Sequence, residues 1–171
     1  MVTKTKKKPE SVSDYSATQL TALVILRVAI GWHFLYEGIV KVLNPYWSSA
    51  GFLLEVKGIF KGLATSIVAN PGTLSFVDFV NKWGLILIGL GLIAGCLTRI
   101  ASISGMALIF LYYIFHPPFI GYAYTTPVEG SYLLITKNLI ELFALFVCTM
   151  FPTGQIIGLD RLIFIKKKPS R

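Results

Sequence analysis

Apolar residues fall along this chain in four runs long enough to cross a bilayer, divided by polar and turn-forming residues. The first covers about Leu20 to Val40. The second, with WGLILIGLGLIAGCL at its centre, covers about Phe76 to Leu97. ASISGMALIFLYYIF forms the third, about Ile100 to Phe115, and SYLLITKNLIELFALFVCTMF the fourth, about Ser131 to Phe151. A helix satisfies its backbone hydrogen bonds within its own segment, which lipid demands. The pattern therefore predicts an all-α fold, an integral membrane four-helix bundle over residues 18–152.

The connection between the first two runs, about residues 43–74, has a different rhythm. Within AGFLLEVKGIFKGLATSIV, residues Phe52, Val56, Ile59, Phe60, Leu63 and Ile67 recur at helical spacing, with Glu55, Lys57 and Lys61 on other faces. Too charged to span, this segment is expected to be an amphipathic helix lying in the interface. Asn44-Pro45 and Asn70-Pro71-Gly72 are expected to be its bends.

Composition agrees with a bilayer. Of 171 residues, 54% are hydrophobic and only 14% charged, against about a quarter charged in soluble domains. Mean hydropathy is +0.69. The net charge of +8 would suit nucleic acid were it spread over a surface. Instead it collects in the tails 1–17 and 153–171, at Lys4, Lys6, Lys7, Lys8, Lys166, Lys167, Lys168 and Arg171. Basic clusters flanking spans mark cytoplasmic ends. The stretch HPPFIGYAYTTPVEGS has no Lys or Arg, as an external loop should. The expected placement is a multi-pass protein of the bacterial inner membrane with both termini cytoplasmic. A first run of about 20 apolar residues exceeds a signal-peptide core, so it is expected to be retained.

Candidate chemistry concentrates in RVAIGWHFLYEGIVK, residues 27–41. At 100° per residue, Arg27, His33, Glu37 and Lys41 share an arc of about 120°. Ile25, Val28, Trp32, Leu35 and Ile39 face the other way. Charge inside a bilayer costs roughly 2.5–3.5 kcal/mol per group, so the ionisable face should point into the bundle, where it is functional by default. His33 and Glu37 are candidate catalytic, proton-transferring residues. Arg27, Lys41, His116 and Glu141 are candidate substrate- or quinone-binding residues, with Arg27 and Lys41 supplying positive charge. The alternative is a stripe of structural ion pairs, in which Glu141 of the fourth run neutralises Arg27. Tyr112, Tyr113, His116 and Glu129 cluster near the external end. Gly91 and Gly95 form a small-xxx-small pair for close helix packing. Cys96 and Cys148 do not form a CxxC pair, and there is no Walker A loop, no GxSxG and no metal-ligand spacing.

The stretch LRVAIGWHFLYEGIVKVLNP resembles the DoxX family of small four-helix membrane proteins, through Arg27, Gly31, Phe34, Gly38 and Lys41. Leu97-Thr98-Arg99 and Lys137-Asn138 extend the resemblance to nearly the whole chain. Tyr36-Glu37-Gly38 and YWSSAGFL look closer to the DoxD branch, the small subunit of thiosulfate:quinone oxidoreductase. The resemblance implies a subunit of a redox complex, passing electrons from thiosulfate or from a partner to quinone, with no covalently bound cofactor. It also implies a protein partner or a second copy. Residues after Phe151 are too few for a fused DoxA-like domain. The competing expectation is a non-catalytic anchor or assembly subunit of a larger complex.

Overall fold

The computed structural model describes residues 15–119, 124 and 134–164. The lysines near either end of the chain, Lys4, Lys6, Lys7, Lys8, Lys166, Lys167 and Lys168, lie outside them with Glu129 and most of the HPPFIGYAYTTPVEGS loop. Residues 153–164 of the expected second tail are instead folded against the bundle. Among the described residues there is no strand, and the architecture is an α-helical bundle. Its helices are α1 (Ala17–Leu43), α2 (Ala50–Leu54), α3 (Lys61–Ala69), α4 (Pro71–Ala94), α5 (Thr98–Phe115), α6 (Lys137–Met150) and α7 (Asp160–Phe164). Three of them, α1, α4 and α5, are long and apolar enough to span a membrane. Helix α6 packs beside α5 and α1, but its 14 residues rise only about 21 Å, short of a hydrocarbon core of about 30 Å.

Local chemistry sets each boundary. Ser16 and Gln19 form a reciprocal capping box that starts α1 (Ser16 Oγ accepts from the Gln19 amide at 3.2 Å). Asn70 Oδ1 accepts from the amides of Gly72 and Thr73 at 3.1 and 3.2 Å, with Pro71 in the first turn. Extended Asn70 is the expected bend, closing α3 and starting α4 at once, and α4 begins five residues earlier than hydropathy predicts. Asn70→Ala should cost about 1 kcal/mol of stability, read from the thermal unfolding of the solubilised protein. Thr136, in an extended conformation, caps α6, which is why the helix begins at Lys137 and not at Ser131.

Two clusters form the core. The larger joins Ile30 and Phe34 of α1 to Leu85, Ile88 and Leu92 of α4, Ala101 and Ile109 of α5, and Leu145 and Cys148 of α6. The smaller joins Leu53, Val56 and Ala64 to Phe60, Ile67 and Leu74, and to Phe115 at the end of α5. The connection between α1 and α4 thus folds as a cap over one end of the bundle, the cap end. The opposite, hairpin end carries the tight α4–α5 turn.

The cap is not the single amphipathic helix expected from the pattern. Gly58, at φ 72°, breaks it between α2 and a short 3-10 turn, Gly58–Phe60. The break rotates the register, so Ile59 and Leu63 face outward at 90% and 54% exposure. Leu53 and Ala64 take the buried positions instead. Ser49 anchors the cap to α4, donating its amide (2.8 Å) and hydroxyl to Asp78 Oδ1.

Close packing of α1 on α4 depends on glycines other than the expected Gly91–Gly95 pair. A methyl group on Gly31 or Gly38 would run into α4, and one on Gly89 would meet the backbone of α1. Gly91 and Gly95 serve the hairpin. Gly91 lies against Ala101, and Gly95 ends α4 in the left-handed conformation, φ 65°.

Candidate functional site

The ionisable face of α1 points inward, but it divides between two ends of the bundle. Arg27 lies at the hairpin end, 2% exposed. One terminal nitrogen donates to Thr153 Oγ1 at 3.1 Å and the other to the Ile157 carbonyl at 2.9 Å. Nearby, Asp160 accepts from the amides of Leu97 (2.6 Å) and Thr98 (2.9 Å) and from the Thr98 hydroxyl (2.6 Å), capping α5 from 62 residues away. Arg27 and Asp160 together clasp the segment after α6 onto the helix ends. Arg27 is therefore not paired with Glu141, and although it shares the arc of His33, Glu37 and Lys41 it lies deeper along α1 and apart from their cavity. Lys41 stands fourteen residues further along α1, about 21 Å away.

At the cap end the expected residues do converge. His33, Glu37 and Lys41 of α1 and Glu141 of α6 line one cavity of about 210 Å³, with Phe34, Leu85, Ile109, Tyr112 and Asn138. Liquid water occupies about 30 Å³ per molecule, so this space admits several waters or a small ring. His33 Nδ1 lies 2.6 Å from Glu141 Oε1, and Lys41 Nζ donates to Glu37 Oε2 at 2.6 Å. Both are charge-assisted contacts in a site partly shielded from water, where such bonds are strongest. Glu141 is buried and its Oε2 has no hydrogen-bond partner.

The His33–Glu141 contact has a chemical consequence. An ionised Glu141 only accepts, an arrangement that puts the proton on Nδ1 and leaves Nε2 as the ring atom that can take or give one. The carboxylate also holds the imidazole in orientation, the arrangement general-base histidines use. Glu37, 46% exposed, is bound by its neighbour one turn along, a geometry that sets local potential more than it locks the fold.

His116 does not join this cavity. Its ring stacks between Phe52 (centroids 3.9 Å apart) and Tyr124 (4.6 Å). Nε2 donates to the Phe52 carbonyl at 2.9 Å. Burial holds its pKa below the ordinary histidine value, with the Phe52 carbonyl acting in the opposite sense. This keeps the ring neutral, as a pin joining cap to bundle. No cluster of three or more His, Cys, Asp or Glu able to hold a metal occurs among the described residues.

Sequence reasoning missed Asn81, Thr153 and Asp160. Asn81 reads as part of an interfacial anchor with Asp78, Lys82 and Trp83. Once Asn70-Pro71 is recognised as a helix start, Asn81 falls about three turns inside α4. Thr153 and Asp160 lie beyond the last apolar run, where hydropathy carries no signal.

Three apolar helices of spanning length, a short partner helix and charges gathered inside the bundle define a helical membrane protein with a polar cavity at one end. Residues 22–118 match the DoxX family model, and the chain belongs to the DoxX family. No curated protein and no solved structure gives a significant match to it.

Proposed function

We propose that this protein is a membrane subunit of a redox complex and that the cap-end cavity is where it handles a quinone head group. The observation that carries the reading is the carboxylate-held imidazole beside the Lys41–Glu37 pair, all four groups bordering one open cavity. Reducing a quinone to a quinol takes two electrons and two protons. His33 Nε2 delivers the two protons in turn, taking a fresh one from water between steps. Glu141 orients the ring and steadies the imidazolium, and Lys41 favours the negative charge that builds on the quinone oxygen. The electrons come from a partner subunit or from a small sulfur anion such as thiosulfate, two of which release two electrons on joining through a new S–S bond. That donor follows from the likeness of Tyr36-Glu37-Gly38 and YWSSAGFL to the DoxD branch. The cap end then faces the outside of the bacterial inner membrane, with the lysine-rich termini in the cytoplasm.

The test uses membranes carrying the chain with whatever subunits co-purify, supplied with thiosulfate and a short-tailed benzoquinone, with quinol formation followed by absorbance. Removing a positioned general acid or base costs 10²–10⁴-fold, so His33→Ala should lower the rate by about 100-fold. Glu37→Gln should lower it less, through Lys41. Wild-type rates in both variants would overturn the reading.

A second reading, a non-catalytic anchor, draws on a specific observation: His33, Glu37 and Lys41 each already have a partner. It predicts that both variants reduce the amount of assembled complex and leave the turnover of what assembles unchanged.

A further inference from the structure

A further chamber, of about 400 Å³, adjoins the cavity beside His33, with Lys41, Tyr112 and Asn138 in the lining of both, and extends under the start of the cap. Trp47, Phe52 and Tyr112 give this outer chamber aromatic walls, and Ser48, Asn81 and Asn138 add polar edges. Lys41 and Lys82 place their ammonium groups over the Trp47 ring, at 5.7 and 5.1 Å from its centre. Trp47 is thereby held as a wall rather than left as a free interfacial side chain.

Asn81 is the unexplained member. It is 9% exposed, its Nδ2 donates to the Tyr112 hydroxyl at 2.6 Å, and its Oδ1 has no partner. Leaving a buried acceptor unmade costs about 1–3 kcal/mol, and such groups in native structures call for an explanation. The Asn81 bond also fixes what Tyr112 can do. With its oxygen accepting from Asn81, the Tyr112 O–H remains to donate elsewhere, and Tyr112 borders both chambers.

We propose that the outer chamber is the ring-binding compartment of a single two-chamber site. It takes a planar ring bearing an acceptor oxygen, with Trp47 and Phe52 against the ring, Tyr112 donating to the oxygen, and Asn81 positioning Tyr112. The proposal rests on the reading of the His33 cavity as a quinone site and deepens it. The inner chamber supplies the proton, the outer chamber selects the ring, and Lys41 lines both. Aromatic stacking area and one hydrogen bond to an oxygen are the usual basis for holding such a ring.

The chain has three tryptophans, so a Trp32→Phe/Trp83→Phe protein reports from Trp47 alone. Titrating it in detergent with menadione should give saturable quenching. Tyr112→Phe in that background should weaken the apparent Kd about tenfold, the value of one lost hydrogen bond. His33→Ala should lower quinol formation by about 100-fold while moving the Kd less than twofold. If Tyr112→Phe does not fold, judged by its melting curve, Ser48→Leu, which narrows the outer chamber alone, carries the same test. Quenching that His33→Ala weakens and Tyr112→Phe leaves alone would put the ring in the inner cavity. That result overturns this proposal and leaves the quinone reading standing. Thiosulfate quenching Trp47 in place of menadione would make the outer chamber an anion site and overturn it too. No saturable quenching by any quinone would sink both.

Discussion

Arg27→Ala will lower the melting temperature of the solubilised protein by roughly 10 °C, and Arg27→Lys will recover only part of the loss. The guanidinium is 2% exposed and bonds Thr153 Oγ1 and the Ile157 carbonyl with two different nitrogens. Hydrogen bonds to charged groups contribute about 1.5–3 kcal/mol each, so losing two costs about 3–6 kcal/mol. For a chain of this size that converts to 2–4 °C per kcal/mol. Lysine offers a point charge where a planar fork reaches two acceptors, so it cannot serve both. The space around the fork is also specific. A methyl group on Gly95 would lie 3.0 Å from the guanidinium, and one on Gly158 would meet the Gly95 carbonyl at 2.8 Å. Quinol formation per folded molecule should persist in Arg27→Ala, because its partners lie in the segment after α6 and Arg27 does not line the His33 cavity. An unchanged melting temperature together with lost turnover would instead return Arg27 to the ligand-binding role its place on the α1 wheel suggests.

The helical wheel of α1 was right about the face and silent about depth. Angles of 40° and 80° from His33 bring Glu37 and Lys41 to one side, and the structure places both on a common cavity. The same wheel places Arg27 with them, although helical rise separates it from Lys41 by about 21 Å. Partners across the bundle were less legible still. Glu141 could have met Arg27 or His33 by pattern alone, and only the packing of α6 against α1 and α5 decides for His33. The three long spans, α1, α4 and α5, were readable because lipid imposes a strong apolar signal. The cap was read correctly at Phe52, Val56, Phe60 and Ile67, which pack on its core, and wrongly at Ile59 and Leu63, because Gly58 breaks the period. Asp160 shows a different limit. A carboxylate capping a helix from 62 residues away leaves no local signature, since capping motifs in sequence are recognised within a few residues.

The position that most directly couples packing to the site is Gly89. Gly89→Val should destabilise the protein by about 3 kcal/mol, the upper end for overpacking, and should also break the His33–Glu141 contact. Even the first carbon added at Gly89 would stand 2.5 Å from the Leu35 amide nitrogen and 2.7 Å from the Gly31 carbonyl oxygen. Both are backbone atoms, so no rotamer change relieves them and α1 must move off α4. Without a hydrophobic drive between helices in lipid, close backbone approach through small residues is a main source of their association. Helix α1 carries His33, Glu37 and Lys41, while Glu141 sits on α6, packed chiefly against α5. Moving α1 therefore separates the 2.6 Å pair while leaving Glu141 in place. Gly84→Ala is the matched control, since nothing lies within 4 Å of a methyl group there. The change should be neutral or stabilise by up to about 1 kcal/mol through helix propensity. Thermal unfolding of both variants, with quinol formation measured per folded molecule, gives the comparison. A Gly89→Val protein that kept its turnover would mean that the spacing of α1 and α4 does not govern the His33–Glu141 pair.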